Sequence, residues 1–243
     1  MNCPMDVATM DETVEIIRAA VAAERFTQHV VVNVAKLVNM RTDAQLRNSV
    51  ETCDIINIDG MGVVIGARFL GHRVPERVAG VDLFHRLLSM SAVEGFPVFL
   101  LGATDDVVTA TAKKVATLYP GLSIAGFHHG YFWENEAATV EMIRASGARL
   151  LFVAITSPKK ENFINRWKDQ LGVSFVMGVG GTFDVVAGKV SRAPLWMQTY
   201  GLEWLYRVIQ EPRRMWRRYL TTNSKFLALL VVEKFRQLSR TAR

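Results

Sequence analysis

Cysteine is scarce: only Cys3 and Cys53 occur, and neither belongs to a C-x-x-C pair. That argues against a disulfide framework or a cysteine-built zinc site, and it suits a reducing cytosol. Long apolar runs are missing as well. The longest late one, Phe226 to Val232 (FLALLVV), falls far short of the roughly 20 residues that a membrane-spanning helix needs. The opening MNCPMDVATMDETVEII has no basic stretch followed by an apolar one, so no secretory signal is expected and the protein reads as soluble or peripheral. No D-x-D triplet, G-x-S-x-G or P-loop occurs, and no His/Cys/carboxylate group has metal-ligand spacing. No metal site is therefore expected. Repeats, low-complexity tracts and Gly/Ser linkers are absent too.

What remains is a chain that can build a core. Half of its 243 residues are hydrophobic, which fits one large domain, or one domain with an appendage. The net charge of +6 is lopsided. From Gly201 onward ten basic residues face three acidic ones, so the last 43 residues carry +7 and the rest is close to neutral. A neutral globule with a basic end points to an anionic partner there, such as lipid phosphate, a diphosphate or nucleic acid.

Periodicity predicts an α/β fold. Apolar, β-branched runs at 29–34, 55–58, 97–101, 123–127, 150–154 and 175–179 read as strands. Between them, 11–25, 35–48, 82–93, 107–118 and 159–171 read as helices. This alternation predicts a Rossmann-like, mostly parallel sheet flanked by helices. Near Ala193-Pro194 the composition changes, and a Trp- and Arg-rich helical stretch follows, broken at Pro212. We read residues 1–195 as the core and 196–243 as a basic, amphipathic helical appendage.

In such a sheet, ligands gather beyond the carboxyl ends of the strands. Asn33, Asp59-Gly60, Gly102-Ala103, Thr156 to Lys159 and Gly178 to Gly181 all fall there. Glycines at such ends let a phosphate approach the backbone, although G-V-G-G lacks the spacing of a dinucleotide fingerprint and each glycine could simply serve a turn. Asp59 follows IINI and precedes Gly-Met-Gly, so its carboxylate either takes a proton from a substrate hydroxyl or caps a helix. Asp184 carries the same ambiguity between hydroxyl binding and capping. His128-His129 reads as a structural or solvent-exposed loop. In the appendage, Arg207, Arg214 and Arg218 recur at helical spacing beside Arg213 and Arg217, with Trp204 and Trp216 among them. Guanidinium forks suit phosphate, and tryptophan beside arginine suits a membrane interface; a solvated helix face is the plainer alternative.

Taken together, VVVNVAKL (30–37), DGMGVVIGARFLG (59–71), RVAGVDLFHRLL (77–88), FLLGA (99–103), SPKKENFI (157–164) and the long block GVGGTFDVVAGKVSRAPLWMQTYGLEWLYRVIQEPRRMWRRYL (178–220) resemble the WecG/TagA/CpsF glycosyltransferases, family twenty-six. The resemblance covers nearly the whole chain. It implies a Rossmann-like core unlike the two common glycosyltransferase folds, without cofactor. It also implies inverting, metal-independent transfer from a UDP-sugar to a polyprenyl-diphosphate-linked sugar in envelope or exopolysaccharide assembly. The anionic partners become the nucleotide sugar, the lipid diphosphate and the membrane surface rather than nucleic acid, and a homo-oligomer stays open. The enzyme is expected on the inner face of the bacterial cell membrane.

By the same resemblance, Asp59 is the general base, and Asn33 and Arg77 line the sugar pocket. Asp184 falls in the nucleotide region, where the strand-end glycines Gly102, Gly178 and Gly180, with Phe183, are also expected. Lys160, Arg207, Arg213, Arg214 and Arg217 meet substrate, the arginines at the diphosphate. Two positions depart from the family pattern. Val31 stands where threonine is usual, and Lys160 where glutamine is usual, so a hydroxyl is lost and a cation replaces an amide where the donor sugar would be read. Two rival readings are a nicotinamide-dependent oxidoreductase, which the missing fingerprint disfavours, and a non-catalytic lipid-surface module built on the basic appendage.

Overall fold

The computed structural model describes residues 3–241, with the side chains of 214, 240 and 241 outside the description. Six strands form one sheet: β1 (Thr27–Val32), β2 (Ile55–Ile58), β3 (Val98–Gly102), β4 (Ile124–His128), β5 (Leu150–Ala154) and β6 (Phe175–Gly178). Their order is β2-β1-β6-β5-β3-β4, and every neighbouring pair is parallel. A parallel sheet is covered on both faces, so its inner strands are apolar throughout. In β5, Leu150, Phe152 and Ala154 enter one core layer, while Leu151 and Val153 enter the other, because successive side chains point to opposite faces. The edge strand β4 is only half-buried. At the other edge the N-terminal segment pairs with β2. The Asp6 N–H donates to the Ile56 carbonyl at 2.8 Å, and the Ile56 N–H donates to the Asp6 carboxylate at 2.7 Å.

One face carries α1 (Met10–Ala22), α5 (Gly80–Glu94), α6 (Asp105–Leu118) and the short α9 (Thr182–Val186), packed around Phe84, Phe152 and Phe183. The other carries α2 (Val34–Asn39), α3 (Ala44–Glu51), α4 (Met61–Phe69), α7 (Glu136–Ala145) and α8 (Lys159–Trp167). The single helix expected over 35–48 is two helices. The Asp43 carboxylate accepts from the Leu46 N–H at 2.9 Å and starts α3 afresh. Short polar side chains compete with helical backbone bonding, so they favour caps over helix interiors.

Three further helices follow: α10 (Leu195–Thr199), α11 (Glu203–Gln210) and α12 (Pro212–Thr241). The break expected at Pro212 is there. Proline fits the first position of α12, where its missing N–H would have no helical partner anyway. α12 lies along α2, and its Phe226 and Leu230 enter the same core layer as Val63 and Val64 of α4. Gly66 permits that approach, since a Cβ there would sit 2.8 Å from the Phe226 ring. Lys234 and Gln237 donate to the Phe69 and Leu70 carbonyls at 3.1 and 3.3 Å, serving two acceptors at the α4 C-terminus that lack helical partners. Gly201, at φ 72° in the turn before α11, lies so close to α4 that a Cβ would meet Met61 at 2.5 Å. Among the described residues no helix is long and apolar enough to cross a membrane.

Candidate active site at the carboxyl edge of the sheet

All six strands end at one edge. At β3 and β5 the outgoing connections diverge, one running to β4 and the other to β6, and such divergence opens a crevice in an α/β sheet. The chain leaving β1 likewise runs to β2, whereas the chain leaving β6 turns into α9 beside α6. β2 and β6 flank β1, so the residues that follow them stand about 10 Å apart, two strand spacings.

Asp59 follows β2, its N–H donating to the Val32 carbonyl at 2.9 Å. It does not cap the helix that follows it, because α4 starts on Gly60 (φ 143°) with no side-chain cap. Its carboxylate instead accepts from the N–H of Gly80, the first residue of α5, whose own N-cap Ala79 has no side chain to offer. A Cβ at position 80 would lie 3.7 Å from Asp59 Oδ2, so glycine lets that helix end come close. Burial pushes the Asp59 carboxyl above its ordinary range, and Glu203 adds to the rise. Arg77, the Gly80 N–H and Arg207 pull the other way.

Around Asp59 stands a network of alternating charge. Arg77 forms an ion pair with Glu203 of α11, with the two side chains 13% and 28% exposed. Glu203 Oε1 is also 3.8 Å from Arg192 Nε. Arg192 forks onto Asp82 of α5, Nη1 to Oδ1 at 2.5 Å and Nη2 to Oδ2 at 2.7 Å. Burial works against the Asp82 charge, yet this fork holds its carboxyl below the usual range. Two of the expected residues, Arg77 and Arg207, thus act on the Asp59 charge. Asp82, Arg192 and Glu203 join them without having been singled out from the sequence. Their partners are distant in the chain, and only the placement of Asp82 two residues past Gly80 hints at the site.

A second cluster sits two strands away. Glu161 of α8 takes the ammonium of Lys160 at 2.5 Å and that of Lys36 at 2.8 Å, and Lys36 also donates to the Val31 carbonyl at 2.7 Å. All three side chains are buried. Burial, with Lys36 beside it, lowers the Lys160 ammonium to about 8, although Glu161 draws it up. Burial opposes the Glu161 charge, but the two lysines hold its carboxyl well below the ordinary range. The Lys160 stem crosses the end of β6, where a Cβ on Gly178 would meet its Cε at 2.7 Å. Gly178 therefore makes room for a lysine.

The other expected residues are more scattered. Asn33 caps α2, accepting from the Lys36 N–H at 3.0 Å, and a Cβ at Gly60 would sit 3.6 Å from its own Cβ. Gly102 adopts φ 127° because the Ala154 carbonyl crowds it, 2.4 Å from where a Cβ would stand. Gly180 turns the chain at φ 55° in open space. Phe183, expected at the nucleotide, is instead fully buried, its ring 5.9 Å from that of Phe84. Asp184 is half-buried in the first turn of α9. Arg213 and Arg217 are exposed in the first turns of α12, with Arg217 5.4 Å over the Trp216 ring. The Arg214 side chain lies outside the described residues. Among the described residues no group of His, Cys, Asp and Glu is arranged to hold a metal ion.

Comparison with known proteins agrees with this architecture. The family described as "Glycosyl transferase WecG/TagA/CpsF family" matches residues 1–240. The chain is also 37% identical, over 176 residues, to the N-acetylglucosaminyldiphosphoundecaprenol N-acetyl-beta-D-mannosaminyltransferase of Bacillus subtilis (strain 168), covering 72% of this chain and 68% of that protein.

Proposed function

Because this chain belongs to the WecG/TagA/CpsF family of glycosyltransferases, we propose that it moves a sugar from a UDP donor to a lipid-diphosphate-linked saccharide, with inversion and without a metal. Family membership displaces both rival readings, the oxidoreductase and the non-catalytic module. The acceptor class follows the Bacillus relative, whose name specifies a sugar on diphosphoundecaprenol. Envelope or exopolysaccharide assembly at the inner face of the membrane is the setting we infer.

One observation carries the mechanism: a half-buried carboxylate at the strand edge, raised by burial, on whose charge Arg77 and Arg207 act. Asp59 accepts the proton of the acceptor hydroxyl as that oxygen bonds to the anomeric carbon. The bond from that carbon to the β-phosphate oxygen breaks, and UDP leaves with the electron pair. A raised carboxyl suits a base because proton affinity rises with it. Arg207, exposed on α11, lies where it would offset developing phosphate charge, the work a metal does elsewhere. Gly180 leaves the end of β6 open to the nucleotide and Asp184 would take ribose hydroxyls, whereas Gly102 serves the close approach of β5. Asn33 and Lys160 fall beside the donor sugar.

In this reading residues 196–243 are the acceptor-handling unit on a core of 1–195. Trp196, Tyr200, Ile209, Trp216 and Leu220 are exposed there beside Arg213 and Arg217, the composition of a surface that rests on anionic lipid. A panel of UDP-sugars offered with a short-chain prenyl-diphosphate N-acetylglucosamine tests the proposal. Turnover with one donor, retained in EDTA and giving the opposite anomer by NMR, is expected. A retained anomer, or activity restored only by magnesium or manganese, would refute inversion or metal independence respectively.

A further inference from the structure

The appendage sends one acidic residue toward the base. Glu203 is the first residue of α11, set by the Gly201 turn that packs on Met61. Its carboxylate holds Arg77, while Arg192 is already committed to the Asp82 fork and stands 3.8 Å off. The Val78 N–H donates to the Ile58 carbonyl at 2.9 Å, which sets Arg77, and Glu203 paired with it, next to Asp59 at the end of β2, and Arg77 has little room to serve elsewhere, being 13% exposed. Charges are matched around the base, with Arg77, Arg192 and Arg207 against Asp59, Asp82 and Glu203. The tail as a whole carries +7, so a carboxylate aimed inward among so many cations calls for a reason.

We propose that Glu203 is a positioning residue for the transfer: carried in by α11, its carboxylate takes up the Arg77 guanidinium that would otherwise close on Asp59, and so leaves an Asp59 oxygen free to accept the acceptor proton. A carboxylate locked in a fork with arginine is a weak base, as the Asp82–Arg192 pair illustrates on the neighbouring turn. Seating α11 and readying the base then become one event. The inference rests on the assignment of Asp59 as base.

The groups facing Asp59 define the readout. They are Arg77 from the segment before α5, the Gly80 N–H of α5, Arg192 from the segment after α9, and Glu203 and Arg207 of α11. Of these charges only Glu203 raises the Asp59 carboxyl. Removing it lets Arg77 act on Asp59 unopposed, so the acidic limb of the pH–rate profile moves to lower pH while turnover falls. The experiment uses the full chain, the best donor of the panel and the same prenyl-diphosphate acceptor, and compares Glu203→Gln, Glu203→Asp and Asp59→Asn with the parent. The expected result for Glu203→Gln is a loss of about tenfold or more in kcat, an acid limb at lower pH, and unchanged UDP affinity and melting temperature. Glu203→Asp should recover part of both. An acid limb that stays put in Glu203→Gln, with Asp59→Asn inactive, would overturn the proposal and leave Glu203 as a tether of α11. If Glu203→Gln does not fold, the limb is read in Glu203→Asp, where a shift to lower pH supports the proposal and none overturns it. Parent-like turnover by Asp59→Asn would instead remove the base, and this inference with it.

Discussion

Two charged clusters share the carboxyl edge of the sheet, and the same force acts on them with opposite results. At Glu161 burial is deep, yet the carboxyl is held low, because two buried ammonium groups pair with it. Asp59 is less buried by exposure, yet its carboxyl is raised, because burial outweighs the pull of Arg77, whose ion pair is with Glu203. Desolvation sets the size of the demand, and the number of dedicated partners decides its sign. A carboxylate that owns its cations holds a structure together. One that shares them is available for proton transfer.

The largest test of this contrast is Asp59→Asn. Turnover should fall about 10²- to 10⁴-fold, as for a lost general base. The Gly80 N–H keeps an acceptor, so UDP binding and fold should persist. Stability should be equal or higher, since a carboxyl raised on folding opposes the folded state once ionised. Calorimetry beside the activity assay checks both halves; a parent-like turnover would equate the two clusters.

Glu161→Gln should do the reverse. It strands Lys36 and Lys160 in the interior, and breaking a buried ion pair by removing one partner costs about 3–5 kcal/mol. Urea unfolding measures that loss. The pH dependence sharpens it. The carboxyl is lowered from 4.5 to about 2 on folding, so between those values the unfolded chain binds the extra proton. The stability Glu161 contributes is complete above that window and disappears as pH falls through it. The difference in stability between parent and Glu161→Gln should therefore shrink as pH falls from 4.5 toward 2.

The smallest expected effect lies outside both clusters. Arg217→Ala removes one exposed charge beside Trp216 and should weaken binding to anionic vesicles by about 1 kcal/mol. Vesicle co-sedimentation would show the difference fading as salt rises. Binding that salt does not alter would point to apolar contact alone.

The sheet was legible in the sequence for the reason that makes it stable. Strands such as LLFVA and IINI are buried on both faces and read as continuous apolar runs. Helices closed by local polar side chains were harder, and the Asp43 cap that divides 35–48 looks the same on paper as a polar helix position. Asp59 stood out because a carboxylate followed by glycine ended an apolar run. Its neighbours did not, since Arg192 and Asp82 are 110 residues apart and Arg77 and Glu203 are 126 apart. No local pattern records such pairs. For Lys160 the resemblance gave a place at the substrate, but no local pattern records that Glu161 pairs it with Lys36 in the interior. For Phe183, expected in the nucleotide region, nothing local records that its ring joins Phe84 in the aromatic core.

The seating of α12 has a mechanical consequence. Thirty residues of helix span about 45 Å, and the span is pinned by Phe226 and Leu230, close to its midpoint, into the layer beneath α4. A beam fastened at its middle cannot swing like a hinged arm; tilting it would mean drawing a phenylalanine out of the core, about 3–5 kcal/mol by analogy with deleting one. Were α12 to lie on a bilayer, as proposed above, the height of Asp59 above the lipid would be fixed by the fold itself. In the proposed setting the acceptor sugar would have to rise to that height on its diphosphate, the fold fixing the reach as a gauge block fixes a gap.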